Sequence, residues 1–210
     1  MPMGESLNTV VLDTGVTSAL YGIPPLDPET GHLPPGRYRT TLPNIKQRFV
    51  LSPDFQASST RAAIWDGFTS YLLAWKTSQA ALGQPILKTI WVGGSFTSSE
   101  LDPQDIDLSP VYDEALVDDL HSKPGIKSLK KLIGNRTSMT NKYMVEPFPL
   151  PWRGLQSTLH PSTLPDHAQT YLAKRGGLDD WWQRIRPAGA KVAPVAPTDV
   201  AERGYLEVSW

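Results

Sequence analysis

The chain has 210 residues, with 20 Lys and Arg against 21 Asp and Glu, a formal net charge of −1 and a sequence pI near 6.4. With 40% hydrophobic and 20% charged residues it can bury one sizeable core, which excludes disorder throughout. It has no cysteine, which excludes disulfides, thiolate zinc sites, iron–sulfur ligation and cysteine nucleophiles, and its four scattered histidines argue against a His-rich metal site.

No stretch long enough for a membrane helix is free of charges and turn formers. The start, Met1-Pro2-Met3-Gly4-Glu5-Ser6, lacks a basic segment followed by an apolar one. The expectation is a cytoplasmic protein with no membrane partner.

Twenty prolines cluster towards the chain ends. Residues 23–36 hold five of them and two glycines, so they predict an extended leader rather than a helix or central strand, and residues 1–55 are assigned to that leader. Ser58, Ser59 and Thr60 then offer a helix N-cap, and Ile64, Phe68, Tyr71, Leu72, Trp75 and Leu82 follow at helical spacing. Gly83 and Pro85 end that helix. Trp65, Phe68, Tyr71 and Trp75 read as core rather than as a base-stacking surface.

Residues 86–92 predict a buried strand that stops at Gly93-Gly94-Ser95, with a helix expected to begin near Phe96. After a loop, in which Asp102 reads as a turn former with Pro103, residues 105–112 predict a second strand. Residues 113–120 and 127–133 predict helices, and residues 142–148 a third strand. The order implies an α/β (α+β) layer structure, a mixed sheet flanked by helices, over residues 56–150. A helical piece, a second Pro-rich stretch at 187–197 and an alternating C-terminal run at 204–210, read as an edge strand, make up residues 151–210. Trp181 and Trp182 are adjacent, so at most one can face a common core.

The chemistry concentrates at Gly93, Gly94 and Ser95, followed ten residues after the serine by Asp105-Ile106-Asp107. Residues i and i+2 of a strand point to one side with Cα atoms roughly 6–7 Å apart, so both carboxylates can face one pocket. Two such carboxylates repel unless a cation sits between them, and Mg²⁺ accepts carboxylates together with phosphate oxygens. Glycines before the serine let backbone N–H groups approach a phosphate. A solvated strand face and an ordinary tight turn are the plainer readings of the two parts taken singly.

Val92-Gly93-Gly94-Ser95-Phe96 with Asp105-Ile106-Asp107-Leu108 resembles the motif of the nucleotidyltransferase superfamily, the polymerase-β-like fold, over roughly residues 60–150. Within it the chain resembles small, uncharacterised bacterial nucleotidyltransferase-like proteins with a Leu-Pro-Pro-Gly leader, here residues 33–36, and a closing basic and Gly-apolar strand, here residues 203–208. The resemblance implies transfer of a nucleoside monophosphate from an NTP to a protein or RNA hydroxyl, with Mg²⁺ or Mn²⁺ held by Asp105, Asp107 and a third carboxylate. Glu146, the only acid in residues 142–150, is the candidate for that third place, with an exposed or salt-bridged strand residue as its plainer reading. Gly93, Gly94 and Ser95 would contact the NTP phosphates.

By analogy the setting is a toxin–antitoxin or phage-defence pair with a cognate protein partner. Lys130, Lys131, Arg136 and Lys142 are candidates to neutralise triphosphate, with a solvated basic helix face as the plainer reading of Lys130 and Lys131. Near-neutral charge favours a protein or small-molecule acceptor, and no DNA partner is expected, although a local basic patch would suit RNA. Two other readings stand beside this one: a catalytically weak module acting as an antitoxin or immunity protein, and an antibiotic-modifying enzyme using Asp113, Glu114, Asp118 and Asp119 to hold a cationic drug.

Overall fold

The computed structural model of the protein describes residues 22–155, 160–186 and 200–210. The Pro-rich stretch at 187–197 and the chain start lie outside them. Among the described residues the strands are β1 (Gly36–Thr40), β2 (Leu87–Gly93), β3 (Ile106–Asp113), β4 (Val145–Pro147), β5 (Leu150–Trp152) and β6 (Gly204–Ser209). The helices are α1 (Leu42–Phe49), α2 (Arg61–Leu82), α3 (Glu114–Asp119), α4 (Ile126–Gly134), α5 (Arg136–Tyr143) and α6 (Asp166–Trp182). No described helix is long and apolar enough to cross a membrane.

The strands form one mixed sheet in the order β1-β6-β2-β3-β4, with β5 also pairing with β3. β2 is antiparallel to β3 and β6, whereas β1 runs parallel to β6 and both β4 and β5 run parallel to β3. Alternation along the strands separates two faces. Ile90, Val92, Ile106, Leu108, Val145, Leu206 and Val208 join the main core under α2, α4 and α5. Trp91, Val111, Leu150 and Tyr205 form a second cluster with Tyr171 and Trp182 of α6.

The expected helix after Thr60 is α2, whose stripe of Ile64, Phe68, Tyr71, Leu72 and Trp75 is buried. Gly83 stops it in the left-handed conformation at φ 68°. The aromatic side chains on α2 are core, as their spacing predicts, and of the two adjacent tryptophans Trp182 is fully buried while Trp181 is partly exposed.

Four expectations are corrected. Residues 1–55 are not only an extended leader: 36–49 hold β1 and α1, and Thr41 caps α1 by accepting from Asn44 N. The C-terminal run is not an edge strand, since β6 lies between β1 and β2 with both of its edges paired. The strand expected at 142–148 is only Val145–Pro147, because its first residues finish α5, which Met144 ends at φ 53°. No α-helix starts near Phe96; the chain makes a single 3-10 turn at Ser95–Thr97.

Candidate functional site

Asp107 lies on β3 with Gly93 of β2 opposite it on one side and Glu146 of β4 on the other. Paired residues project to the same face, so the sheet register itself brings Asp107 and Glu146 together. Asp105 immediately precedes β3 and joins them from the strand's entry. One oxygen from each of Asp105, Asp107 and Glu146 lies within 4.8 Å of the others. The three carboxylates face away from α2, on the side of the sheet that α6 covers.

The two glycines make this arrangement sterically possible. A Cβ on Gly94 would stand 1.9 Å from Asp107 Oδ2, and the residue holds φ 74°, ψ −160°, a conformation essentially restricted to glycine. A Cβ on Gly93 would stand 2.6 Å from the Trp182 ring, which rests on β2 and donates from Nε1 to Ser109 Oγ at 2.9 Å. Gly94→Ala is therefore expected to displace the Asp107 carboxylate and destabilise the fold by about 2–3 kcal/mol. Thermal unfolding with and without Mn²⁺ reads both effects: a lower Tm and a smaller metal-induced rise.

Charge is crowded here. Burial raises the pKa of Asp107 well above the usual aspartate range, and its hydrogen bond to Glu146 and the charges of Asp105 and Glu146 add to the rise; Arg203 opposes it. Asp105 is raised by burial and by Glu146, with Arg136 opposing. Arg136 forms an ion pair with Glu146 and stacks its guanidinium 4.6 Å from the centre of the Phe148 ring. The donor set is all carboxylate oxygen, the chemistry that suits Mg²⁺ or Mn²⁺.

Of the four cations proposed from sequence, Arg136 reaches the acidic group, while Lys130 and Lys131 are exposed on α4 and Lys142 lies 4.8 Å from the centre of the Tyr143 ring. Sequence reasoning missed Arg203. It stands at the head of β6, donates from Nε to Trp182 O at 3.0 Å and places its charge beside Asp107. Burial lowers its pKa and Asp107 raises it. His32 is held below the ordinary histidine value by burial and then by Arg203.

Asp102 does more than form a turn: its Oδ1 accepts from Ser59 N at 2.7 Å and from the hydroxyls of Ser58 and Ser59, which holds its pKa low. It thereby supplies a negative charge at the start of α2. Ser58 Oγ accepts from the N–H groups of Thr60 and Arg61, so the N-cap work expected of this serine–threonine cluster falls to Ser58.

The acids considered for a cationic drug lie elsewhere. Asp113, at the far end of β3 from Asp107, pairs with Lys88, and Glu114 and Asp118 pair with Arg153.

Compared with known proteins, the chain matches one family over residues 24–209, described as a family of unknown function (DUF6932). No curated protein and no solved structure matches it.

Proposed function

The chain belongs to this family of unknown function, and we propose that it is a metal-dependent nucleotidyltransferase built on a nucleotidyltransferase-like core. The carrying observation is the meeting of Asp105, Asp107 and Glu146 above the Gly93-Gly94-Ser95 turn. Mg²⁺ or Mn²⁺ bound by these carboxylates would neutralise them and polarise phosphate oxygens.

The chain's own residues do the rest. Gly94 clears the space that Asp107 occupies, Arg203 offers fixed positive charge to an anionic triphosphate, and the partly exposed Ser95 adds a hydroxyl donor. In the reaction the acceptor oxygen bonds to the α-phosphorus, the bond to pyrophosphate breaks, and the hydroxyl proton leaves to water.

Two observations favour a second reading, an inert nucleotidyltransferase-like binding module. Arg136 already supplies Glu146 with a counter-charge, and the three-residue turn at Ser95–Thr97 offers no α-helix N-terminus to a phosphate. The drug-modifying reading is disfavoured because Asp113, Glu114 and Asp118 are paired away from the site.

The test is label transfer from each α-labelled NTP in turn, with Mg²⁺ or Mn²⁺ and a host lysate, by the native protein and by Asp105→Ala/Asp107→Ala. Label moved to protein or RNA only by the native protein supports transfer. No label moved with any NTP leaves the binding module as the reading.

A further inference from the structure

On the same sheet face as the acidic group, the other ends of the strands build a surface of opposite charge. Arg37 and Arg39 of β1, Lys88 at the start of β2 and Arg175 of α6 line a cavity of about 210 Å³, with Trp91 and Trp152 among its walls. Arg37 and Arg175 also line an adjoining cavity of about 420 Å³ beside α6, in which Asp179 accepts a hydrogen bond from the Tyr205 hydroxyl. The two cavities share these arginines and so make one elongated groove.

Its electrostatics are layered. The carboxylate of the smaller cavity, Glu207, is 7% exposed and lies at the floor. It accepts from Trp91 Nε1 at 3.0 Å and Arg39 Nε at 3.1 Å, with Arg37 Nε 3.6 Å away. Glu207 thus fixes two guanidinium groups from below, while the Arg39 side chain stays 83% exposed and turns its remaining donors outward. Arg37 stacks 5.6 Å from the centre of the Trp91 ring, and Lys88, whose ammonium pairs with Asp113 at 3.1 Å, lies 5.3 Å from the centre of the partly exposed Trp152 ring. Pre-positioned guanidinium forks beside an accessible indole suit phosphates that alternate with planar bases. An acidic peptide would use the charge and leave the indole without a stacking partner.

We infer that this groove binds single-stranded nucleic acid through Arg37, Arg39 and Arg175, with Trp152 stacking a base. Counting along β2 from Thr89 to Gly93, the groove lies about 13 Å from the acidic group, some two nucleotides of extended strand. Binding in the groove stands on its own; only the role of an RNA strand as acceptor rests on the proposed nucleotidyl transfer.

The experiment is fluorescence anisotropy of a short labelled oligouridylate against salt, with the full-length native protein, Arg39→Ala/Arg175→Ala, Arg39→Lys/Arg175→Lys and Asp107→Asn. The alanine pair is expected to weaken binding about tenfold or more and to lower the slope of log K against log salt by about 1.4, two phosphate contacts' worth. The lysine pair keeps most of that slope, and Asp107→Asn binds as the native protein does. Asp107→Asn leaves the groove intact, and the native protein separates the two readings: oligouridylate binding with no label moved from any NTP marks a failed transfer reading, whereas label transfer without oligouridylate binding marks a failed groove. The inference is overturned if the native protein does not bind the probe, if the alanine pair binds it equally well, or if a polyglutamate peptide displaces it at matching concentration.

Discussion

Asp107→Asn is expected to lose the proposed nucleotidyl transfer by at least about a thousandfold and yet to yield a more stable metal-free protein. A role confined to structure predicts the opposite sign for stability, since the residue is half-buried and hydrogen-bonded to Glu146. The reason lies in the raised pKa of Asp107. The folded protein holds this proton more tightly than the unfolded chain does, so the stability associated with it is fully present at low pH. It is lost as pH rises from the ordinary aspartate value through the raised one. Above that window the native fold carries three crowded carboxylates, offset among the described residues by Arg203 and Arg136.

Asparagine keeps the shape of Asp107, offers Glu146 a donor and removes one negative charge. In EDTA near pH 8 the expected gain is on the order of 1 kcal/mol, the usual size of a single-substitution effect, or about 2–4 °C in Tm for a chain of this length. The gain should fade below pH 4. Saturating Mn²⁺ reverses the order: at a hundred times its dissociation constant it stabilises the native protein by about 2.7 kcal/mol and leaves the variant unmoved. Thermal unfolding of both proteins at two pH values, with and without Mn²⁺, checks every part. An Asp107→Asn protein that is less stable than native in EDTA at pH 8 would refute the account.

The centre of this site was legible because it is local. The paired carboxylates Asp105 and Asp107 are two residues apart, and the glycines stand where a buried strand must end. Their nearness to Glu146 was guessed from residue type, but the reason for it, the parallel β3–β4 register, is a long-range pairing that no local pattern encodes. The same limit explains β6. Its alternation was readable, but insertion between β1 and β2 depends on a partner more than a hundred residues away. The leader was misjudged because its prolines and glycines end at Gly36, and the strand and helix that follow are too short for their periodicity to stand out. Local sequence offers a phosphate cradle or a tight turn for the glycine pair, whereas its first measurable consequence is steric, admitting Asp107 and Trp182.

One overlooked residue carries the largest expected stability effect. Arg61 opens α2, where a cation opposes the helix macrodipole, and that misplacement was the available signal. Its side chain is buried, and each of its five N–H groups has a backbone carbonyl to donate to. Nη1 donates to Phe49 O at 3.0 Å and Phe96 O at 2.7 Å, Nη2 to Ser98 O at 3.0 Å and Glu100 O at 2.5 Å, and Nε to Leu101 O at 3.2 Å. The guanidinium carbon sits 3.8 Å from the centre of the Phe55 ring. Burial lowers its pKa to about 10, with Glu100 and Asp102 opposing, so it stays charged at neutral pH.

Four of those carbonyls belong to the segment that leads from the Gly-Ser turn to Asp105, so one side chain fixes that segment to α2 and to the end of α1. An ion pair can often be exchanged for apolar groups because both partners are removable. Here the partners are main-chain carbonyls, which remain whatever replaces the arginine. Arg61→Met fills a similar volume and leaves several of them without a donor, at about 1–3 kcal/mol for each that water cannot reach. The expected loss is about 4–5 kcal/mol, or about 10–20 °C in Tm. Arg61→Lys restores charge but not the five-donor fan and should recover less than half of the loss. Both variants should also bind Mn²⁺ more weakly, because the chain that delivers Asp105 is no longer held. Urea unfolding followed by tryptophan fluorescence gives the stabilities; a loss for Arg61→Met below about 1.5 kcal/mol would show that the segment is held by other contacts.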